Sequence, residues 1–171
     1  RIGRFKEGLD LFENRRSKGK IVHSANKFDK QRWKGEPLKG KKILVVREQG
    51  YGDALHFINY LPKLSEQAQK VYFLPPKILE SLFKENEDVL GAEILSHKDS
   101  WNSVDYDYYL PLMSLPKYLD PDFLNIHALQ GKWVVNLKKQ QSYKDKMDFT
   151  AKKHVAICWR GNSEHSRDHW R

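Results

Sequence analysis

Short apolar runs alternating with amphipathic segments predict an α/β fold, a Rossmann-like, mostly parallel sheet flanked by helices. Three observations carry that expectation. The run KILVV, Lys42 to Val46, is short and apolar throughout its length after the lysine, as a strand covered on both faces must be. Directly after it, Ala54, Phe57, Ile58, Leu61, Leu64 and Ala68 recur at helical spacing. The alternation then repeats through KVYFLPP, AEILSH, YDYYLPL and HVAICW, each a strand-like run bounded by helical or turn-forming residues.

Taken in order, the chain opens on RIGRFKEGLDLFENRR, where Ile2, Phe5, Leu9 and Phe12 make one apolar stripe. Arg15 and Arg16 fall near the carboxyl end of that helix, where the dipole favours cations. No neighbouring segment offers the stripe a partner. Residues 17–42 are polar, contain glycines and Pro37, and show no sustained period, so they read as a connection, with Trp33 and Leu38 pinning it to the domain surface. Pro62 lies inside the first sheet-covering helix and predicts a kink rather than a stop, because it removes one backbone donor. PPKILESLFKEN is a helix opened by proline. SLPKYL begins a short helix with Ser114 as its cap. Residues 120–150 have the weakest pattern, with KWVVNL reading as extended and QQSYKDKMDF as helical. HVAICW, His154 to Trp159, is the final strand.

Composition narrows the classes. At 171 residues and 39% hydrophobic the chain can bury one domain core. It has no apolar run of about eighteen residues and no signal-peptide core near its start. Its single cysteine, Cys158, rules out an internal disulfide framework and fits a reducing compartment. The expectation is a cytoplasmic protein without a membrane span. The net charge of +9 is local: residues 1–45 hold 14 Lys and Arg against 5 Asp and Glu, while residues 46–171 hold 17 of each. A basic arm of this kind binds phosphate backbones or acidic lipid in some proteins and is a solvated linker in more of them. Nucleic acid is therefore not the expected partner.

The stretch REQGYGDALHF, Arg47 to Phe57, leaves the first long strand through two glycines and places a carboxylate at the mouth of the next helix. Parallel sheets hold ligands at the carboxyl ends of their strands, where this turn lies. A glycine turn running into a helix amino terminus also makes an anion site. GYGDAL has two of the three glycines of a dinucleotide fingerprint, and the second strand ends in Leu74, Pro75 and Pro76 without an acidic residue, so a nicotinamide site is rejected. The Lys and Ser/Thr of a P-loop are absent as well. Two roles stay open for Asp53. One is a helix cap accepting backbone N–H bonds, worth about 1 kcal/mol. The other is a general base at a cleft rim, deprotonating a hydroxyl nucleophile. His56, one turn later, touches the same ligand or covers the helix surface.

Three stretches, RWKGEPLKGKKILVVREQGYGDALHFINYLPKL, YDYYLPLMSLPKYL and HVAICWRGNSEHSRDHWR, together resemble successive signatures of the glycosyltransferases found behind tetratricopeptide repeats in bacteria. These are similar to the heptosyltransferases of lipopolysaccharide assembly and, more distantly, to the O-linked N-acetylglucosamine transferases. The resemblance covers most of residues 32–171, and GRFKEGLDLFENR resembles the last helix of a repeat array. It implies a GT-B fold, with two facing Rossmann-like domains, the first mostly holding the acceptor and the second the nucleotide-sugar donor. The implied organisation is a repeat-like helix at 1–17, a basic linker at 18–42, an acceptor-side domain at 43–153 and the start of a truncated donor-binding domain at 154–171.

By the same resemblance Asp53 is the catalytic base, and Glu48, Gln49, Gly50, Gly52 and Ser114 form the acceptor side, to which His56 is added from its place one turn after Asp53. Gly161, Asn162, His165, Asp168 and Arg171 match the donor side, with His169 standing where the family usually has arginine. No cofactor is implied, since the nucleotide-sugar is a co-substrate, and the acceptor would be a glycan, a lipid-linked group or a protein. Only twelve residues follow Trp159. The donor half is thus expected to be largely missing and this stretch inactive alone, because stabilising the leaving diphosphate needs it. A last strand without its own sheet predicts self-association through Val155, Ile157 and Trp159.

His165 and His169 stand four apart with Asp168 between them, a spacing that helical metal ligands use, although near a chain end a plain polar terminus is the favoured reading and no metal is expected. Tyr106, Tyr108 and Tyr109 either stack on sugar rings or simply supply strand propensity. Two functions from different classes remain: part of a metal-independent, inverting glycosyltransferase, or a non-enzymatic module that recruits protein or nucleic acid through its basic arm.

Overall fold

The computed structural model describes residues 3–16, 28–48, 50–96, 104–120, 133–147 and 155. The chain divides into two compact units, Arg1–Val134 and Val135–Arg171. In the first, β1 (Gln31–Arg32), β2 (Lys42–Val46), β3 (Lys70–Leu74), β4 (Glu93–Ile94) and β5 (Tyr108–Pro111) form one five-stranded sheet in the order β1-β5-β2-β3-β4. Every pairing is parallel. Flanking helices are α1 (Phe5–Phe12), α2 (Tyr51–Phe57), α3 (Leu61–Ser65), α4 (Glu80–Lys84), α5 (Glu87–Leu90) and α6 (Leu115–Leu119). This is the α/β architecture that the alternation of apolar runs predicts.

The central strand shows why its sequence is continuously apolar. Ile43 and Val45 point into the main core with Val71, Phe73, Phe83, Leu110 and the inward residues of α2 to α6. Leu44 and Val46 point to the opposite face, against Leu95, Tyr106 and Tyr109. A strand alternates its faces, so four consecutive buried positions require cover on both sides. Removing each such side chain from water stabilises the fold by roughly 1.5–3 kcal/mol. The ladder continues past the strand, as the Arg47 N–H donates to the Leu74 carbonyl at 3.1 Å and carries the chain to Glu48 at the sheet's carboxyl end.

Several expectations are corrected. The helix α1 does have a neighbour: it lies against α6, where Leu9 is buried and Asp10 pairs with Lys117 at 2.9 Å, while Phe5 of the stripe stays half exposed. Part of the presumed connection is structured. Arg32 and Gln31 pair with β5, Trp33 and Leu38 enter the main core, and Phe28 stacks on Tyr109 at 4.8 Å between ring centroids. A two-residue strand is too short to show a period, which is why the sequence hides it. Pro62 does not kink a continuous helix. The chain passes from α2 through a 3₁₀ turn, Ile58–Tyr60, and restarts with the proline in the first turn of α3, where its missing donor has no helical acceptor to serve. Gly91 ends α5 with φ of 62°, and a Cβ there would stand 2.3 Å from Ser65 Oγ, so both backbone and space demand glycine.

KWVVNL forms no strand at its described residues. Trp133 packs on Phe83, and Asn86 brackets Val134 by accepting its N–H at 2.6 Å and donating to its carbonyl at 3.2 Å. In the second unit α7 spans Leu137–Lys144, with Asn136 Oδ1 accepting the Lys139 N–H at 3.0 Å as a cap, so the helix begins earlier than QQSYKDKMDF. Val155 is exposed and outside any strand, and the remainder of HVAICW, Ile157 and Trp159 included, lies outside the described residues. Among the described residues no helix is long and apolar enough to cross a membrane.

Candidate functional site at the switch point of the sheet

From β2 the chain builds outward on one side through β3 and β4, then returns to lay β5 on the other side of β2. The carboxyl ends of β2 and β5 therefore diverge at a topological switch point, the place where open parallel sheets form a crevice for ligands. Glu48 follows β2, and Ser114 closes the 3₁₀ turn that follows β5. Both are buried, at 7% and 0% exposure. They are joined through the Met113 N–H, which donates to Glu48 Oε2 at 3.2 Å. Two residues chosen from the sequence are thus brought to one place.

Ser114 occupies the cap position of α6 but makes no side-chain cap bond. Its hydroxyl instead accepts from Arg15 Nη2 at 2.8 Å and from Arg32 Nη2 at 3.1 Å. Guanidinium donors form charge-assisted bonds that a helix N–H does not match, and they claim the oxygen.

Arg15 organises the cluster. Its Nε and Nη2 form a fork on Glu48 at 3.3 and 2.7 Å, and Nη1 donates to the Phe12 carbonyl at 3.1 Å and to Glu13 Oε1 at 3.0 Å. The guanidinium also lies 4.3 Å over the Phe12 ring. Arg32, on β1, holds the second oxygen of Glu13. Two cations face two carboxylates in a nearly closed site, and such a group is tolerated because almost every polar atom has a partner. Burial alone would raise the Glu13 carboxyl, but the hydrogen bond and charge of Arg32, followed by Arg15 and Ser114, outweigh it and hold the carboxyl below its ordinary value. Sequence reasoning missed Glu13, Arg15 and Arg32. The run ENRR after α1 was the available signal, and it was absorbed by the helix-dipole reading of Arg15.

Asp53 stands in the first turn of α2, which packs against the Leu112–Ser114 turn. Its Oδ2 accepts the Gly50 N–H at 3.0 Å, the reciprocal half of a capping box. The capping geometry is therefore present, with the carboxylate half-buried at the carboxyl end of β2. Neither turn glycine has a positive φ. A Cβ on Gly52 would meet nothing within 4 Å, and one on Gly50 only Asp53 Oδ2 at 3.4 Å. Neither conformation nor packing demands glycine here, and what its absence of a side chain leaves is bare backbone at the turn.

His56 is exposed, with its ring edge toward Phe57 at 5.1 Å between centroids. Tyr106 and Tyr109 are buried in the sheet's second face, which favours strand packing over sugar stacking. Gln49, Gly161, Asn162, His165, Asp168, His169 and Arg171 lie outside the described residues. Among the described residues no group of three His, Cys, Asp or Glu side chains is placed to hold a metal ion. A cleft of about 450 Å³ opens at the opposite, amino end of the sheet, lined by Ser65, Gln69, Lys70, Glu87 and Glu93 among others. It is open and polar and lies away from every residue selected for chemistry.

A stretch of 65 residues is 35% identical to Protein FlbA of Caulobacter vibrioides, covering 38% of this chain. The matched stretch spans 11% of that protein. No family model and no solved structure matches the chain.

Proposed function

We propose that this chain supplies the acceptor-side domain of a repeat-linked, metal-independent, inverting glycosyltransferase of the two-domain type, with a nucleotide-sugar as donor. The observation that carries the reading is the convergence of Glu48, Ser114 and the Gly50–Asp53 turn on the carboxyl ends of β2 and β5, the switch point of a parallel sheet and the position at which such sheets take ligands. In that reaction Asp53 takes the proton of the acceptor hydroxyl as its oxygen attacks the anomeric carbon. The bond to the nucleoside diphosphate breaks, and the diphosphate leaves with the electron pair. The Gly50 N–H on Oδ2 orients the carboxylate for this role as well as capping α2.

The donor side belongs to the second domain, with Gly161, Asn162, His165, Asp168 and Arg171 as its contacts. The rival reading, recruitment of nucleic acid by the basic arm, loses two of that arm's cations, since Arg15 and Arg32 are committed to Glu48 and Glu13.

The test is Asp53→Asn in the full-length protein, followed by nucleoside diphosphate release from a panel of nucleotide-sugars. Asparagine still accepts the Gly50 N–H but cannot take a proton. The reading expects turnover to fall by roughly 10²–10⁴-fold with the fold intact. Unchanged turnover would leave Asp53 as a cap alone.

A further inference from the structure

The two arginines of the buried cluster use the same fork differently. Arg15 commits Nε and Nη2 to both oxygens of Glu48 and makes five hydrogen bonds among the described residues. It is fully used, and its side chain is 8% exposed. Arg32 sits at the rim, with a side chain 22% exposed, and among the described residues works through Nη2 alone, toward Glu13 and Ser114. Its Nε is buried without a hydrogen-bond partner among the described residues. A buried guanidinium serving only the fold would have that donor satisfied, because an unpaired buried N–H costs about 1–3 kcal/mol. The idle Nε lies beside Nη2 in the geometry that matches two oxygens of one carboxylate or phosphate.

We propose that Arg32, with the Ser114 hydroxyl and the Glu13-facing Nη1 of Arg15, forms an oxyanion site at the switch point of the sheet, in which the Glu13 carboxylate is a displaceable internal occupant and a phosphate- or carboxylate-bearing small ligand takes its place.

Glu13 already shows that the position holds an anion, since both guanidinium groups donate to it. Displacement asks little of the fold. Rotating the Glu13 side chain away leaves the Arg15–Glu48 fork and the Met113 N–H bond to Glu48 in place, so no buried charge is orphaned. An incoming oxyanion gains what Glu13 leaves unused, the Arg32 Nε. A tetrahedral phosphate has oxygens enough to serve Nε, Nη2 and the Ser114 hydroxyl, where a carboxylate has two. The site requires no sugar transfer, and its test is read by binding alone, so it stands or falls apart from the Asp53 experiment.

Titration calorimetry of the full chain with inorganic phosphate and, separately, with acetate decides the matter. Glu13→Gln removes the competing charge and is expected to tighten binding of at least one anion by tenfold or more over the wild type. Adding Arg32→Lys, which keeps the charge and loses the fork, should reverse that gain. Preference for phosphate assigns a phosphoryl ligand, and preference for acetate a carboxylate. No saturable binding of either anion to folded E13Q, or equal binding with Arg32→Lys present, overturns the site. Should E13Q fail to fold, thermal protection of the wild type by the same anions is compared with that of R32K. Protection present in the first and lost in the second supports the proposal, and equal or absent protection overturns it.

Discussion

At the amino end of the sheet three lysines lie against carboxylates of the neighbouring strand or loop: Lys41 with Asp107 at 3.0 Å, Lys42 with Asp105 at 2.6 Å and Lys70 with Glu93 at 2.7 Å. All three are open to water. At the carboxyl end of the same sheet, Arg15 and Glu48 meet at 2.7 Å with side chains only 8% and 4% exposed, and Glu13, Arg32 and Ser114 close around them. The covalent scaffold is shared, and the difference is solvent. Water screens the lysine pairs until they contribute little, whereas the buried set is held by mutual hydrogen bonding and fails if one member is lost. Charge concentrated at the switch point of a parallel sheet is the feature that a scaffold alone does not require.

The sharpest way to break this contrast is Arg15→Ala. It strips the buried Glu48 side chain of its fork, and urea unfolding should show a loss of about 3–5 kcal/mol. Pairing Arg15→Met with Glu48→Leu should recover most of that loss, because an apolar pair of similar volume does not require buried charge to be solvated. A double variant as unstable as the single one would show that shape, rather than charge, holds the site.

Glu13 gives the pH dependence. Its folded carboxyl lies below the ordinary 4.5, so the unfolded chain binds the proton more readily. The stability it contributes is present above that ordinary value and is lost as pH falls through the lower folded one. Acid titration of stability should therefore be steeper in the wild type than in Glu13→Gln across this window. Parallel profiles would contradict the pairing with Arg32.

Gly52→Ala probes the turn itself. With open space at the Cβ position and no positive φ, alanine should stabilise α2 by about 0.5–1 kcal/mol, read from the midpoint of thermal or urea unfolding. A loss of stability would mean that the turn needs glycine for the fold. The smallest expected effect belongs to the amino end, where Lys70→Ala should change stability by less than about 1 kcal/mol.

The sheet was legible because parallel strands buried on both faces leave continuous apolar runs, as Ile43 to Val46 do, and because Ala54, Ile58, Leu61 and Leu64 keep a helical spacing. Glu48 and Ser114 were selected through the family resemblance of the loops they occupy, and the fold brings those loops together. The partners that give them their setting were not, since Arg15 lies 33 positions from Glu48 and 99 from Ser114, and no local period records a contact at such separation. β1 was hidden for a different reason: Gln31 and Arg32 are polar, and two residues on a sheet edge need no apolar alternation.

The central claim is that ligands meet this domain at the carboxyl end of β2 and β5. Amide chemical-shift mapping of the Glu13→Gln protein during titration with phosphate and, separately, acetate tests it most directly. With phosphate, or with acetate where that is the anion bound, saturable shifts are expected at the amides of residue 13, Arg15, Arg32, Met113 and Ser114 and their immediate neighbours, with Lys42, Lys70 and Glu93 at the other end unmoved. Shifts centred on those amino-end residues, or none around Arg32 and Ser114, would contradict it.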